Sequence, residues 1–158
     1  MKVETLQVGC MTNEYAHLIS QWKYDGIYSM YSNTDDTADA FMNGDHFVCT
    51  DGLNNLVGYY CFGEDAQIPT YENNVYDDEF IDIGLGMNPH LCGNGLWLMF
   101  LKAGIEYACD FYKTTKFRLS VISFNERAIK VYKRYGFYPE REVRHLRSGE
   151  KFYVMKCI

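Results

Sequence analysis

The chain has 158 residues, of which 47% are hydrophobic and only three are proline, so it is too apolar for a disordered protein and has the length of one domain. Its net charge of −6 has the wrong sign for a protein that neutralises many nucleic-acid phosphates, which excludes DNA and RNA as expected partners. We therefore expect a single domain over residues 1–158.

Short strand-like runs alternate with longer helix-like runs along the whole chain, with no repeat or linker between them. The predicted elements, in chain order, are a strand Val3–Val8, a helix Asn13–Tyr24, a short helix capped by Asn33 or Thr34, strands His46–Thr50 and Leu56–Gly63, a loop Glu64–Glu79, a strand Phe80–Met87, a helix from Asn94 to about Phe111, a strand Lys116–Ser123, a helix Asn125–Tyr135, and strands Tyr138–His145 and Lys151–Cys157.

Two of these segments carry functional hints. The loop Glu64–Glu79 is acidic, polar and interrupted by Pro69, so we interpret it as a candidate substrate lid. In the strand that follows, Gly84 and Gly86 lie on one face and leave it bare of side chains. A bare face occurs where a ligand, a helix or another backbone comes close, and these alternatives stay open here.

A glycine-containing turn, Cys92-Gly93-Asn94-Gly95, joins this strand to the next helix. Glycines allow a tight backbone with exposed N–H groups, and the positive end of the helix adds to them, so the junction can hold an anion such as a pyrophosphate. Glycines are also common in ordinary tight connections. The turn alone therefore leaves both interpretations open.

The passage after Pro89 resembles the cofactor loop of the GNAT superfamily of N-acetyltransferases, Arg/Gln-x-x-Gly-x-Gly/Ala. Gly95 matches the central glycine, whereas Cys92 replaces Arg/Gln and Trp97 replaces the final small residue. A second stretch, residues 125–137, is similar to the family's Asn-x-x-Ala-x-x-x-Tyr-x-x-x-Gly-Phe at all five marked positions. Together with the element order, the resemblance covers most of the chain.

The resemblance implies a single-domain α/β fold, with a mixed, twisted central sheet and helices on both faces. It also implies that acetyl-CoA is a co-substrate and that no metal is required. The implied cofactor contacts are Leu85, Met87, Cys92, Gly93, Asn94, Gly95, Leu96, Asn125, Arg127, Lys130 and Lys133. The basic members of this set, together with Arg134, are expected to include the partners of the ribose phosphate.

The resemblance further implies that Tyr132 protonates the leaving thiolate of CoA, although the helical position of Tyr132 also fits a core aromatic. Asn125 is a candidate helix cap as well as a pantetheine contact. A base must accept the proton of the attacking amine, and Asp82 and Glu79 are the nearest candidates, with a solvent-exposed strand-edge acid as the alternative for both. A backbone N–H near Leu85–Met87 is expected to hold the carbonyl oxygen.

The sequence thus predicts an N-acetyltransferase that moves an acetyl group from acetyl-CoA to a primary amine by direct transfer. The acceptor is a small-molecule amine, a protein N-terminus or a lysine, and the alternative function is a non-catalytic acetyl-CoA-binding regulatory module. Residues 1–112 carry a net charge of −14 and residues 113–158 carry +8. Such a distribution would suit an enzyme that receives a cation on one side and an anion on the other.

Cell location and metal content are also predicted from the sequence. No run approaches the roughly 20 apolar residues of a membrane span, and the start lacks the apolar core of a signal peptide. We therefore expect a cytoplasmic protein with no membrane partner, for which a homodimer is one option. The six cysteines show no CxxC spacing, so we expect reduced thiols rather than a metal site.

Overall fold

The computed structural model describes residues 5–24, 40–92 and 95–158. Its strands are β1 (Leu6–Cys10), β2 (His46–Asp51), β3 (Leu56–Phe62), β4 (Ile81–Met87), β5 (Phe117–Ile122), β6 (Tyr138–Arg144) and β7 (Lys151–Cys157). Its α-helices in the described residues are α1 (Asn13–Ser20), α2 (Trp97–Tyr112) and α3 (Glu126–Tyr135), and the 3-10 helices are Gly63–Ala66 and Pro89–Leu91.

The strands form a mixed sheet in the order β1-β2-β3-β4-β5-β7-β6. Strands β4 and β5 pair in parallel, whereas β1 with β2, β5 with β7, and β6 with β7 pair antiparallel. A parallel neighbour needs a crossover connection, and α2 lies in the segment between β4 and β5. The predicted α/β class is therefore confirmed.

The chain folds into two compact units. Unit 1 comprises Met1–Tyr60 and Leu85–Gly104, and unit 2 comprises Cys61–Gly84 and Ile105–Ile158. The core of unit 1 includes Ala16, Ile19, Trp22, Phe41 and Val48. Unit 2 has a core cluster of Val75, Ile122, Val143, Phe152 and Val154.

The long acidic loop between β3 and β4 is fastened to the end of β6 within unit 2. The Tyr71 N–H donates to the Arg144 carbonyl at 3.0 Å, and the Arg144 N–H donates to the Glu72 carboxylate at 3.0 Å. The Leu146 N–H donates to the Pro69 carbonyl at 2.9 Å. These bonds hold the middle of the predicted lid against the β6–β7 hairpin.

Two helices are shorter than the sequence pattern predicts. Helix α1 ends at Ser20 because the next residues turn back: the Trp22 N–H donates to the Ile19 carbonyl at 2.9 Å, three residues earlier. Helix α2 begins at Trp97 because Gly95 has a φ of +74°, which no right-handed helix contains. The predicted second helix, capped by Asn33 or Thr34, lies outside the described residues.

Candidate functional site

The turn after β4 is held to β3 by Asn88. Its backbone N–H donates to the Val57 carbonyl at 2.8 Å, and its side-chain amide donates to the Leu56 carbonyl at 3.1 Å. Its side-chain oxygen accepts the His90 N–H at 3.1 Å and so caps the 3-10 helix that Pro89 opens. The residues that precede the predicted cofactor turn are therefore fixed in place within unit 1.

The last residue of β4, Met87, is buried, and its carbonyl is a hydrogen-bond acceptor for Tyr24. The Tyr24 hydroxyl donates to this oxygen at 2.6 Å, and burial raises the pKa of that hydroxyl above its ordinary value. The Cys92 Sγ lies 4.0 Å from the same oxygen and 3.7 Å from the Asn88 carbonyl. The thiol therefore points to main-chain oxygens rather than offering a charged group to an anion.

The remainder of the turn is described in part. Gly93 and Asn94 lie outside the described residues. Gly95 is exposed, and a Cβ built on it would meet no atom within 4 Å. Leu96 is half-buried, and its carbonyl accepts the Phe100 N–H at 2.9 Å, which begins the hydrogen bonding of α2. Trp97, also half-buried, meets the Phe100 ring edge-on at 5.6 Å.

The bare face of β4 is filled by side chains of β3. A Cβ on Gly84 would lie 2.6 Å from the Cys61 Sγ, and a Cβ on Gly86 would overlap the ring of Tyr59. Both glycines are therefore required for close packing between neighbouring strands. Leu85, which lies between them, is half-buried.

Helix α3 has the ends that the sequence predicts. The Asn125 side-chain oxygen accepts the Ala128 N–H at 3.4 Å, so Asn125 is the N-terminal cap. At the other end Gly136 has a φ of +130°, and its N–H donates to the Tyr132 carbonyl at 3.1 Å. Tyr132 is 7% exposed and meets the Phe137 ring edge-on at 6.1 Å.

The outward side of α3 is strongly basic. Its four exposed cations are Arg127, Lys130, Lys133 and Arg134. They face solvent because Ala128 and Tyr132 turn the opposite side of the helix into the protein. A cluster of positive charge on a helix favours an anionic ligand such as a phosphate.

Asp82 is buried rather than exposed, so its interpretation as a solvent-exposed strand-edge acid is wrong. Its carboxylate accepts two bonds from the Arg118 guanidinium, Nε to Oδ1 at 2.7 Å and Nη2 to Oδ2 at 2.8 Å. The Gln67 amide donates to Oδ2 at 2.9 Å. The exposed fractions of the Asp82 and Arg118 side chains are 2% and 0%. The role of Asp82 as a base stays a prediction.

Sequence patterns alone do not identify Arg118 as a site residue, although it is the one charged residue of the otherwise apolar or small β5. Besides Asp82 it contacts Asp77, whose carboxylate lies 3.2 Å from Nη1 and whose carbonyl lies 2.9 Å from Nη2. Burial lowers the pKa of Arg118, but the hydrogen bonds and charges of the two aspartates outweigh burial and raise it overall. The guanidinium therefore stays charged in the interior.

Glu79, the second predicted base, is exposed. Its carboxylate forms an ion pair with the Lys116 ammonium at 2.9 Å, and the Glu79 side chain is 62% exposed. A carboxylate in this position is open to solvent and to a ligand, which Asp82 is not.

The described ranges carry neither a metal cluster nor a membrane-spanning helix. Residues 5–24, 40–92 and 95–158 contain no group of three or more His, Cys, Asp or Glu side chains arranged to hold a metal ion. None of the helices in these ranges is long and apolar enough to cross a membrane.

Two curated proteins are similar to the chain in sequence, whereas no protein-family model matches it. A probable spermine N(1)-acetyltransferase of Bacillus subtilis subsp. natto (strain BEST195) is 31% identical over 105 residues, and a spermine/spermidine N(1)-acetyltransferase of Bacillus subtilis (strain 168) is 30% identical over 105 residues. Each match covers 63% of this chain, and the chain spans 62% of the length of each relative.

Solved structures share the fold over nearly the whole chain. A GNAT-family acetyltransferase from Bacillus anthracis superposes with a TM-score of 0.75 at 17% identity, covering 99% of this chain and 96% of that one. A chimera of the spermidine N-acetyltransferase SpeG from Vibrio cholerae and hSSAT superposes with a TM-score of 0.77 at 16% identity, covering 98% and 96%. The chain therefore has the fold of GNAT-family acetyltransferases, and part of its sequence is similar to two proteins named as acetyltransferases.

Proposed function

We propose that the protein acetylates a primary amine of a polyamine, with acetyl-CoA as the donor. The observation that carries this proposal is the 105-residue match to two proteins that are both named spermine acetyltransferases. The superposition on a spermidine acetyltransferase chimera shows a shared fold and is consistent with it.

The charge distribution supports a cationic acceptor. The segment Glu64–Glu79 contains six carboxylates and no Lys or Arg. Within unit 2, Glu72 accepts the Arg144 N–H, Asp77 contacts Arg118 and Glu79 contacts Lys116. Glu64, Asp65 and Asp78 are exposed to solvent. A segment with this net charge raises the local concentration of a polyamine.

The donor is proposed to bind through two regions. The turn Cys92–Gly95 with Leu96, Leu85 and Met87 would receive the pyrophosphate and the pantetheine arm, supported by the positive φ of Gly95 and by the helix that begins at Trp97. Helix α3 would add Asn125 and its cations Arg127, Lys130 and Lys133, which are suited to phosphate.

The proposed reaction is one direct transfer. The amine nitrogen attacks the thioester carbonyl carbon, the C–S bond breaks, and Tyr132 gives its proton to the thiolate of CoA. The proton of the amine goes to Glu79 or to water, because Asp82 is buried and already accepts three hydrogen bonds. The cytoplasmic location and the homodimer stay predictions.

Calorimetry with acetyl-CoA, followed by measurement of CoA thiol release with spermine, spermidine and a lysine peptide, tests this function. We expect acetyl-CoA binding and thiol release that depends on the polyamines. Release with the lysine peptide alone would contradict the polyamine acceptor. Binding without release in any mixture would favour the regulatory module instead.

A further inference from the structure

The ion pair of Asp82 and Arg118 stands at the end of a short parallel ladder. The two residues are register partners, and the other pair of the ladder is Ile81 with Phe117. Strand β5 continues to Ile122. Within the described residues of unit 2, the ladder therefore stops at the ion pair while both strands run on.

The hydrogen bonds of the pair restrict its two side chains to a single arrangement. The guanidinium fork of Arg118 meets both carboxylate oxygens of Asp82, at 2.7 and 2.8 Å, and makes two further contacts to Asp77. Gln67 completes the shell of the carboxylate at 2.9 Å. Because bidentate contacts fix direction as well as distance, the pair ties β4 to β5 in one relative position.

Stability alone does not explain two charges in this interior. Taking both out of water costs about as much as their attraction returns, and an apolar pair of similar volume is often as stable. A role in fixing the register of β4 against β5 explains the buried pair better. A ladder of two residue pairs resists slipping weakly, but a slip by one residue would move Arg118 off Asp82 and leave two buried charges unpaired.

We propose that Asp82 and Arg118 are a positioning pair that sets the register of β4 against β5. Through β5, which leads to α3 within the same unit, the pair thereby helps to place Asn125 and Arg127, which the proposed function assigns to acetyl-CoA. Asp82 then acts through Arg118, and not as the base that the sequence suggested. The effect on acetyl-CoA rests on the proposed function, whereas the register does not.

The first measurement is hydrogen exchange of the backbone amides of residues 81–84 and 117–120 in the free protein. We expect Asp82→Asn and Arg118→Met each to speed exchange about tenfold, and the double variant Asp82→Leu with Arg118→Met to return it to within about twofold of the parent. Asp77→Asn, which alters the exposed partner, is the matched control and should change little. Unchanged exchange in both single variants would overturn the proposal.

If Asp82→Asn or Arg118→Met fails to fold, Arg118→Lys is the alternative variant. Lysine keeps the positive charge but lacks the two-pronged guanidinium group. We expect exchange between that of the parent and that of Arg118→Met. Parental exchange in Arg118→Lys would overturn the role of the bidentate contact.

The second measurement separates positioning from base catalysis. Each single variant should weaken acetyl-CoA binding about tenfold, and the double variant should regain both binding and turnover with the pH–rate profile of the parent. A double variant that binds acetyl-CoA normally but has no turnover would make Asp82 the base and overturn the proposal. If the parent protein itself binds no acetyl-CoA, the proposed function is wrong. The hydrogen-exchange rates alone then test whether the pair sets the register of β4 against β5.

Discussion

The turn after β4 and helix α3 are both expected to contact acetyl-CoA, yet they are built differently. In the turn, Cys92 replaces a basic or amide residue, and its thiol faces two backbone carbonyls. In α3 and the residues that flank it, all five marked positions of the resemblance are present, and the outward face of the helix carries four cations. If the proposed function holds, we expect the charge that binds the phosphates to come mainly from α3.

The largest expected effect concerns α3. Tyr132→Phe removes the proposed proton donor and keeps the ring that packs near Phe137, so turnover should fall about 10²–10⁴-fold with unchanged acetyl-CoA affinity. Steady-state kinetics and calorimetry on the same preparation check this. Turnover close to that of the parent would show that Tyr132 is a core aromatic and not the proton donor.

The cations of α3 come next. Lys130→Ala with Lys133→Ala should weaken CoA binding about tenfold at low salt, and less at high salt because exposed charges are screened. Dephospho-CoA should bind the parent and this variant with similar affinity if these lysines contact the ribose phosphate. Lys102→Ala, which alters an exposed lysine of α2, is the control. Equal losses for CoA and dephospho-CoA would contradict the assignment.

Restoring the family residue in the turn should have a smaller effect. Cys92→Arg introduces a charged fork beside the proposed pyrophosphate, so acetyl-CoA should bind about three- to tenfold more tightly. Cys92→Ser is the matched control, since a hydroxyl keeps a small donor near the Met87 and Asn88 carbonyls. Weaker binding of Cys92→Arg would show that the turn has no room for the side chain.

The smallest expected effect tests how the turn is held. Tyr24→Phe removes the donor to the Met87 carbonyl and should lower the free energy of unfolding by about 1 kcal/mol. Urea denaturation followed by tryptophan fluorescence measures it. Tyr15→Phe, on α1, is a suitable control. If Tyr24→Phe leaves both stability and acetyl-CoA affinity unchanged, Tyr24 does not fix the end of β4.

Local signals made much of the fold predictable. Helix α3 follows from its own sequence because Asn125 and Gly136 mark its ends through caps that span a few residues. The start of α2 is not predictable in the same way, because a hydrophobic pattern does not reveal the positive φ at Gly95. Gly84 and Gly86 stand out in the sequence, but only the structure shows that they pack against Cys61 and Tyr59.

The site depends more on distant contacts, which explains what the sequence left out. Arg118 meets Asp82 across 36 positions of the chain, and Tyr24 meets Met87 across 63. No spacing rule links such residues, since their proximity is created by strand pairing and packing. The sequence therefore allows Asp82 to be a solvent-exposed acid at a strand edge. In the structure, its neighbours bury it.

The loop that is fastened to the end of β6 also affects how the protein behaves among other proteins. Strand β6 is the outermost strand on its side of the sheet, and an outermost strand offers backbone groups to which a foreign strand can add. Pro69 and Tyr71 already occupy the N–H of Leu146 and the carbonyl of Arg144. The chain thus blocks one end of its own edge, so cutting this loop with a protease should promote aggregation.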